Sequence, residues 1–363
     1  MENIDKITLE CLEKYRNESG FIDMDEFLKE NPRELKREMV GSKDREKDWI
    51  DFDDETRALL KTENESLLEG ENGALYADLI ISKLAKQAGF ESAHQDLIIY
   101  KGKKGILSKD VKQKGESFRT LRDYIGDDPL SSRGYEDTTD LEYVHDKLFN
   151  ALSDSDISTQ NIKDIINRFN KLLVFDIFTM STDNHTENIA FLESIDKSGK
   201  KTIRLSPIFD RENSLALDIP FEDMEKISND YSKLANVVKM QDPKIAIIPN
   251  KDDEEGELSP FFSILKSQVE EENMSEITLD YLCDFTNINE FITGTCMNLD
   301  ITKAIDEVEK DIKAKLPECV KDMAINAFED RKEQMKVYLG LDLDEIEQEK
   351  EKCTKDKQEI EEI

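Results

Sequence analysis

Asp183, Asn188 and Asp210 combine residue types and spacing that can do chemistry. Asn188 follows Asp183 by five positions in the polar run Ser181-Thr182-Asp183-Asn184-His185-Thr186-Glu187-Asn188. A carboxylate can accept the proton of an attacking hydroxyl. Asp and Asn oxygens are hard ligands suited to Mg²⁺, which binds through one or two carboxylates together with substrate phosphates. Such a set fits phosphoryl transfer, where catalysis is mostly positioning and electrostatic stabilisation. Spacing alone carries little weight: 83 acidic residues generate Asp–Asn pairs by chance, and a solvated loop capping a helix would read the same way.

The elements around the loop make the pattern more specific. Ile162, Ile165, Ile166, Phe169, Leu172, Leu173, Ile177 and Met180 recur at three- and four-residue steps, so a helix with one buried face is expected to lead into it. Residues 189–192 and 203–205 then flank Asp196-Lys197-Ser198-Gly199, which predicts an antiparallel hairpin. A hairpin brings its outer ends together. Asn188, before the first strand, and Asp210, after the second, are therefore expected to be neighbours.

Asp183-Asn184-His185-Thr186-Glu187-Asn188, followed by Ile189-Ala190-Phe191-Leu192, resembles the catalytic loop of HipA-like serine/threonine kinases, which reads Asp-x-His-x-Lys-Asn before a strand. Leu205-Ser206-Pro207-Ile208-Phe209-Asp210 resembles that family's Leu-x-Pro-x-Tyr-Asp metal segment. The resemblance implies an α+β, bilobal protein-kinase-like fold with a small β-rich N-lobe, a larger helical C-lobe and ATP between them. It also implies that Asp183 is the catalytic base, that His185 matches the family His, and that Asn188 and Asp210 hold Mg²⁺. Glu187 stands where the family has Lys, an anion in place of a cation near the phosphates.

The resemblance extends upstream. Arg57-Ala58-Leu59-Leu60-Lys61 is similar to the strand whose terminal Lys pairs with ATP phosphates, and residues 76–89 to the helix that follows. Asp78 falls where the family has Glu, one methylene longer, so a Lys61–Asp78 pair is expected to reach further. Independently, residues 49–52 and 58–60 flank Asp53-Asp54-Glu55, which predicts a hairpin presenting Lys61 at the end of an apolar strand. The alternative for Lys61 is an edge lysine facing water. Gly41-Ser42-Lys43 occupies the place of the family's phosphate-covering loop, where glycine permits close backbone approach to phosphate. By the same resemblance Ser42 is a candidate for autophosphorylation; a charged surface turn is the alternative. Asp96-Leu97-Ile98-Ile99-Tyr100 and Gly105-Ile106-Leu107-Ser108 bracket a third hairpin. Its exit, through Leu107 and Lys109, resembles the linker that contacts adenine through backbone groups. Residues 305–340 resemble the paired helices that end the larger lobe.

The organisation expected is a helical lead-in over residues 1–40, an N-lobe over 41–111, a C-lobe over 112–340 and a charged tail over 341–363. Residues 112–160, polar and rich in turn formers, are read as a mobile insertion. A net charge of -33 argues against direct nucleic-acid binding, which needs clustered Lys and Arg. Residues 101–114 are the residual basic stretch. Five cysteines without Cys-x-x-Cys spacing support neither a zinc site nor a disulfide framework. No apolar run approaches the roughly 20 residues that span a bilayer, and the acidic N-terminus lacks a signal-peptide pattern. A cytoplasmic protein without membrane association is expected.

Two other classes stay open. A pseudokinase, binding nucleotide or a partner without turnover, is motivated by Glu187, Asp78 and the glycine-poor loop. A binuclear phosphoesterase would need more histidines than His94, His145 and His185; His94 is read as a loop residue before a strand and His145 as a helix-surface residue. Toxin members of the resembled family phosphorylate a translation component and pair with a small DNA-binding antitoxin. The resemblance therefore implies a protein substrate and makes a small antitoxin-like protein a candidate partner.

Overall fold

Each turn-rich cluster that interrupts two apolar runs closes a hairpin. The structure is a computed structural model that describes residues 9–37, 46–53, 56–63, 72–126, 140–182, 186–241, 282–283, 285 and 287–341. Its strands are β1 Ile22–Asp23, β2 Leu35–Arg37, β3 Lys47–Asp51, β4 Arg57–Thr62, β5 Gln95–Tyr100, β6 Lys103–Lys109, β7 Glu116–Thr120, β8 Ala190–Ile195 and β9 Lys201–Leu205. Its helices are α1 Met24–Glu30, α2 Ala74–Gln87, α3 Leu121–Ile125, α4 Asp140–Ser153, α5 Thr159–Phe178, α6 Phe221–Ser228, α7 Tyr231–Met240, α8 Ile288–Gly294, α9 Ile301–Ile312 and α10 Glu318–Tyr338, with 3₁₀ turns at Leu9–Tyr15 and Cys296–Asn298. The class is mixed α+β, strands dominating the N-terminal part and helices the C-terminal part. The chain divides into two units.

The first unit comprises Met1–Gly115, Pro207–Lys233 and Asp300–Asn326. It holds a six-stranded sheet in the order β1-β5-β6-β4-β3-β2, with β1 parallel to β5 and the other pairs antiparallel. Strand alternation sends Ile50, Ala58, Leu60, Ile98 and Leu107 to one face, where they pack with Leu12, Tyr15, Met24 and Phe27. Burying each Leu, Ile, Met or Phe of this set contributes on the order of 1.5–3 kcal/mol. The lead-in expected as helical supplies α1 and also the edge strands β1 and β2, which at two and three residues are too short to show a period of two. Between β5 and β6, Lys101 and Gly102 both take positive φ, 53° and 73°, the requirement of a tight two-residue turn. Asp25 caps it by accepting their N–H groups at 2.7 and 2.8 Å. The Lys101 ammonium donates to Glu46 and Asp48, so this part of the basic stretch is neutralised locally. α2 packs on α9, joined by an ion pair of Lys83 with Asp311 and by Gln87 with the Asp300 backbone.

The second unit comprises Glu116–Ser206, Leu234–Leu299 and Ala327–Ile363. Its sheet runs β7-β8-β9, all antiparallel. The β8–β9 turn is tied by Asp196, whose carboxylate accepts from the N–H groups of Ser198 (2.7 Å) and Lys200 (3.0 Å). α5 starts at the Ser158 cap and buries Ile162, Ile165, Phe169, Leu172, Leu173 and Ile177, the expected face. Its second half is enclosed further, because Asn170, Val174, Phe175, Asp176 and Phe178 are buried as well. β7, α3 and α4 lie in the stretch read as an insertion; residues 127–139 lie outside the described residues. β7 left no hydrophobic alternation because its side chains are half-buried or exposed; its ladder to β8 and the Glu116–Arg204 ion pair to β9 hold it. His145 corrects the surface reading: it is buried, its ring edge-on to Phe169 and Phe285 at 5.6 and 5.1 Å. His94 precedes β5, as expected, and is exposed, with Nε2 3.2 Å from Asp96. No helix among the described residues is long and apolar enough to cross a membrane.

Candidate active site

Lys61 follows Leu60 on β4, so the pleat directs it to the face opposite the apolar core. It is only 6% exposed, and a buried ammonium requires anionic partners. Both partners come from the segment after β9. Asp210 makes a direct ion pair with Lys61 Nζ, and Glu212 Oε1 lies 2.9 Å from the same nitrogen.

Backbone contacts fix that segment. Ile208 N–H donates to the Glu91 carbonyl and Ala93 N–H donates to the Ile208 carbonyl, each at 2.8 Å, clipping the segment to the residues before β5. Further on, Gly73 N–H donates to the Leu217 carbonyl at 2.8 Å, tying it to the start of α2. Asp210, Leu215 and Ala216 all hold positive φ, near 55°. Non-glycine residues reach that region only when the surroundings over-determine it, and such strain concentrates at functional sites.

Asp78, expected as the Lys61 partner, sits on α2, is 4% exposed and accepts the Arg211 N–H at 2.8 Å. α2 therefore orients the segment bearing Asp210 and Glu212. Burial, followed by the nearby charges of Glu212 and Asp210, pushes the Asp78 carboxyl up to about 6; Lys61 and the Arg211 N–H oppose the rise. Asp78, Asp210 and Glu212 each offer an oxygen within 4.8 Å of the other two. Three carboxylates close to one another, two of them paired with one ammonium, make a hard, oxygen-rich cradle, and that donor set fits Mg²⁺.

Glu212 escaped the sequence reading. No local pattern marks it, because Asp210 takes a positive φ and the run Asp210-Arg211-Glu212 is not an extended strand. Leu107 lies within β6, its side chain in the core and its backbone opposite Leu60 on one side and Asp96 on the other. Lys109 ends β6 opposite Ala58, with its N–H donating to the His94 carbonyl at 2.8 Å. Gly41, Ser42, Lys43, Asp183 and His185 lie outside the described residues.

In the second unit, Asn188 is buried at the end of the turn after α5. The helix closes with Thr179 N–H donating to Phe175 O at 2.9 Å. Met180 then turns to a φ of 53°, and Ser181 N–H reaches back to Asp176 O at 2.9 Å. Glu187 is not a bare anion: the Arg122 guanidinium donates to its Oε1 at 2.9 Å.

No protein-family model and no curated protein sequence matches the chain. Among solved structures it is similar to the proinflammatory kinase CtkA of Helicobacter pylori, with a TM-score of 0.53 at 15% identity over 86% of this chain and 94% of that one. It is also similar to HipA of Shewanella oneidensis MR-1, from a toxin–antitoxin complex with HipB and operator DNA, with a TM-score of 0.42 at 17% identity over 89% of this chain and 72% of that one. The likeness to CtkA shows the fold: the chain has the protein-kinase-like α+β fold expected from its HipA-like motifs.

Proposed function

We propose that the chain is an ATP- and magnesium-dependent kinase that transfers the γ-phosphate to a Ser or Thr hydroxyl of a protein. The observation that carries this reading is the buried Lys61 facing Asp210 and Glu212, with Asp78 beside them, in a kinase-like fold.

Asp210, Glu212 and Asp78 would hold Mg²⁺; a metal role for Asn188 rests on the loop motif. The ion supplies charge neutralisation to the phosphate oxygens. Lys61 would donate to the phosphate oxygens of the nucleotide. Asp183 accepts the proton of the attacking hydroxyl and His185 supports it, both roles resting on the loop motif. By the family resemblance, Gly41, Ser42 and Lys43 would supply the phosphate-covering loop, and Leu107 to Lys109 the linker beside adenine. Five cysteines without Cys-x-x-Cys spacing support a reducing, cytoplasmic setting. A protein substrate and a small antitoxin-like partner are carried by the loop motifs alone.

Incubation with labelled ATP and magnesium, with cell lysate and with the Asp183→Asn variant as control, tests the reading. Label transferred to protein by the wild type and lost in the variant is expected. Equal labelling in the variant contradicts the role of Asp183. ATP bound without transfer identifies a pseudokinase, and inorganic phosphate released without an acceptor identifies a hydrolase. Mass spectrometry of the same sample reads Ser42 directly; no phosphate there removes autophosphorylation at that residue.

A further inference from the structure

The turn that carries Asn188 is held by the start of α3. Leu121 N–H donates to the Ile189 carbonyl at 2.7 Å, Arg122 N–H donates to the Thr186 carbonyl at 3.2 Å, and Arg122 Nη1 donates to Glu187 Oε1 at 2.9 Å. These contacts bracket Asn188 in sequence. The Arg122 and Glu187 side chains are 16% and 24% exposed, so their pair is shielded far better than an ordinary surface ion pair.

α3 is itself immobilised. Thr120 and Asp123 form a reciprocal capping box at its start. The Tyr124 hydroxyl donates to Glu193 at 2.6 Å, and its ring packs edge-on against Phe191 at 5.1 Å. Arg122 thus projects from an element anchored to β8, the strand that follows the turn. The β8–β9 hairpin has its own ladder, and Thr186 and Ile189 are buried, so the turn does not need the charge pair in order to exist.

We infer that Arg122 is a positioning residue that acts through Glu187 to fix the orientation of Asn188. The inference rests on the proposed role of Asn188 as a magnesium ligand. Supporting residues of this kind typically change metal affinity by about 10–100-fold when removed.

The test is titration calorimetry of a non-hydrolysable ATP analogue at a series of Mg²⁺ concentrations. Arg122→Ala should raise the Mg²⁺ concentration for half-maximal analogue binding by at least about tenfold, while binding without Mg²⁺ stays unchanged. The charge-swapped double variant Arg122→Glu with Glu187→Arg should return most of the loss. Should Arg122→Ala fail to fold, Glu187→Gln leaves Arg122 in place and should show the same increase. Asn188→Ala separates the two levels of the argument. If it leaves the Mg²⁺ requirement unchanged, the metal role of Asn188 is overturned and this inference with it. If it raises the requirement while Arg122→Ala and Glu187→Gln do not, only the positioning role of Arg122 is overturned.

Discussion

Lys61 Nζ lies 2.9 Å from Glu212 Oε1, and the two side chains are 7% and 6% exposed. Asp210 shares the same ammonium. Removing one partner of a buried charge pair leaves the other desolvated without compensation, a loss of about 3–5 kcal/mol. Lys61→Met should therefore lower the unfolding free energy by about that amount, read from denaturant melts. Glu212→Gln keeps the shape and leaves Lys61 with Asp210, and should cost less, about 1–3 kcal/mol. Equal and small losses in both variants would show that the pair is solvated in solution.

Gly105 tests how tightly β4 is held. β6 approaches β4 so closely there that a Cβ would collide with the Lys61 carbonyl oxygen and come within 2.9 Å of Thr62 Cα. Gly105→Ala must push the two strands apart at the residue that carries the ammonium. The expected cost is about 1–3 kcal/mol, typical of overpacking, together with weaker nucleotide binding. A variant with wild-type stability and wild-type nucleotide affinity would contradict this contact.

His145 sets a pH dependence. Burial holds its imidazole near a pKa of about 4, below the ordinary value of 6.5, although Asn170 and Asp146 oppose the shift. Between those values the unfolded chain takes up a proton that the folded chain refuses, so stability is present above pH 6.5 and is lost as pH falls toward 4. At pH 5 the loss approaches about 2 kcal/mol relative to pH 7. Thermal melts at both pH values should show this drop in the wild type and a smaller one in His145→Phe, which keeps an aromatic ring between Phe169 and Phe285. An identical drop in both proteins would assign the pH dependence to other groups.

The hairpins were legible because turn chemistry and apolar runs are local. Asp196 with Gly199, Asp53 before Thr56, and Lys101 with Gly102 each mark a reversal that the structure contains. α5 was legible from its helical periodicity, and α2 from the resemblance of residues 76–89 to the family's helix. What stayed hidden was non-local. β1, β2 and β7 are too short or too polar to announce themselves, and their partners alone define them. Asp78 was placed on the right helix, but its bond to the Arg211 N–H depends on a segment far along the chain. Arg122 meets Glu187 only because β7 pairs with β8. His145 was misread because α4 is polar on most faces and the enclosing Phe169 and Phe285 are distant in sequence.

The central claim is that Asp210, with Glu212 and Lys61, forms a magnesium-dependent nucleotide site. Titration calorimetry of a non-hydrolysable ATP analogue into wild type and Asp210→Asn, each with magnesium and with a chelator, tests it most directly. The account predicts saturable binding by the wild type in magnesium that weakens at least about tenfold in the chelator and likewise in Asp210→Asn, the loss expected when a metal ligand or its metal is removed. Equal affinity in all four titrations, or no binding by the wild type in magnesium, would contradict it.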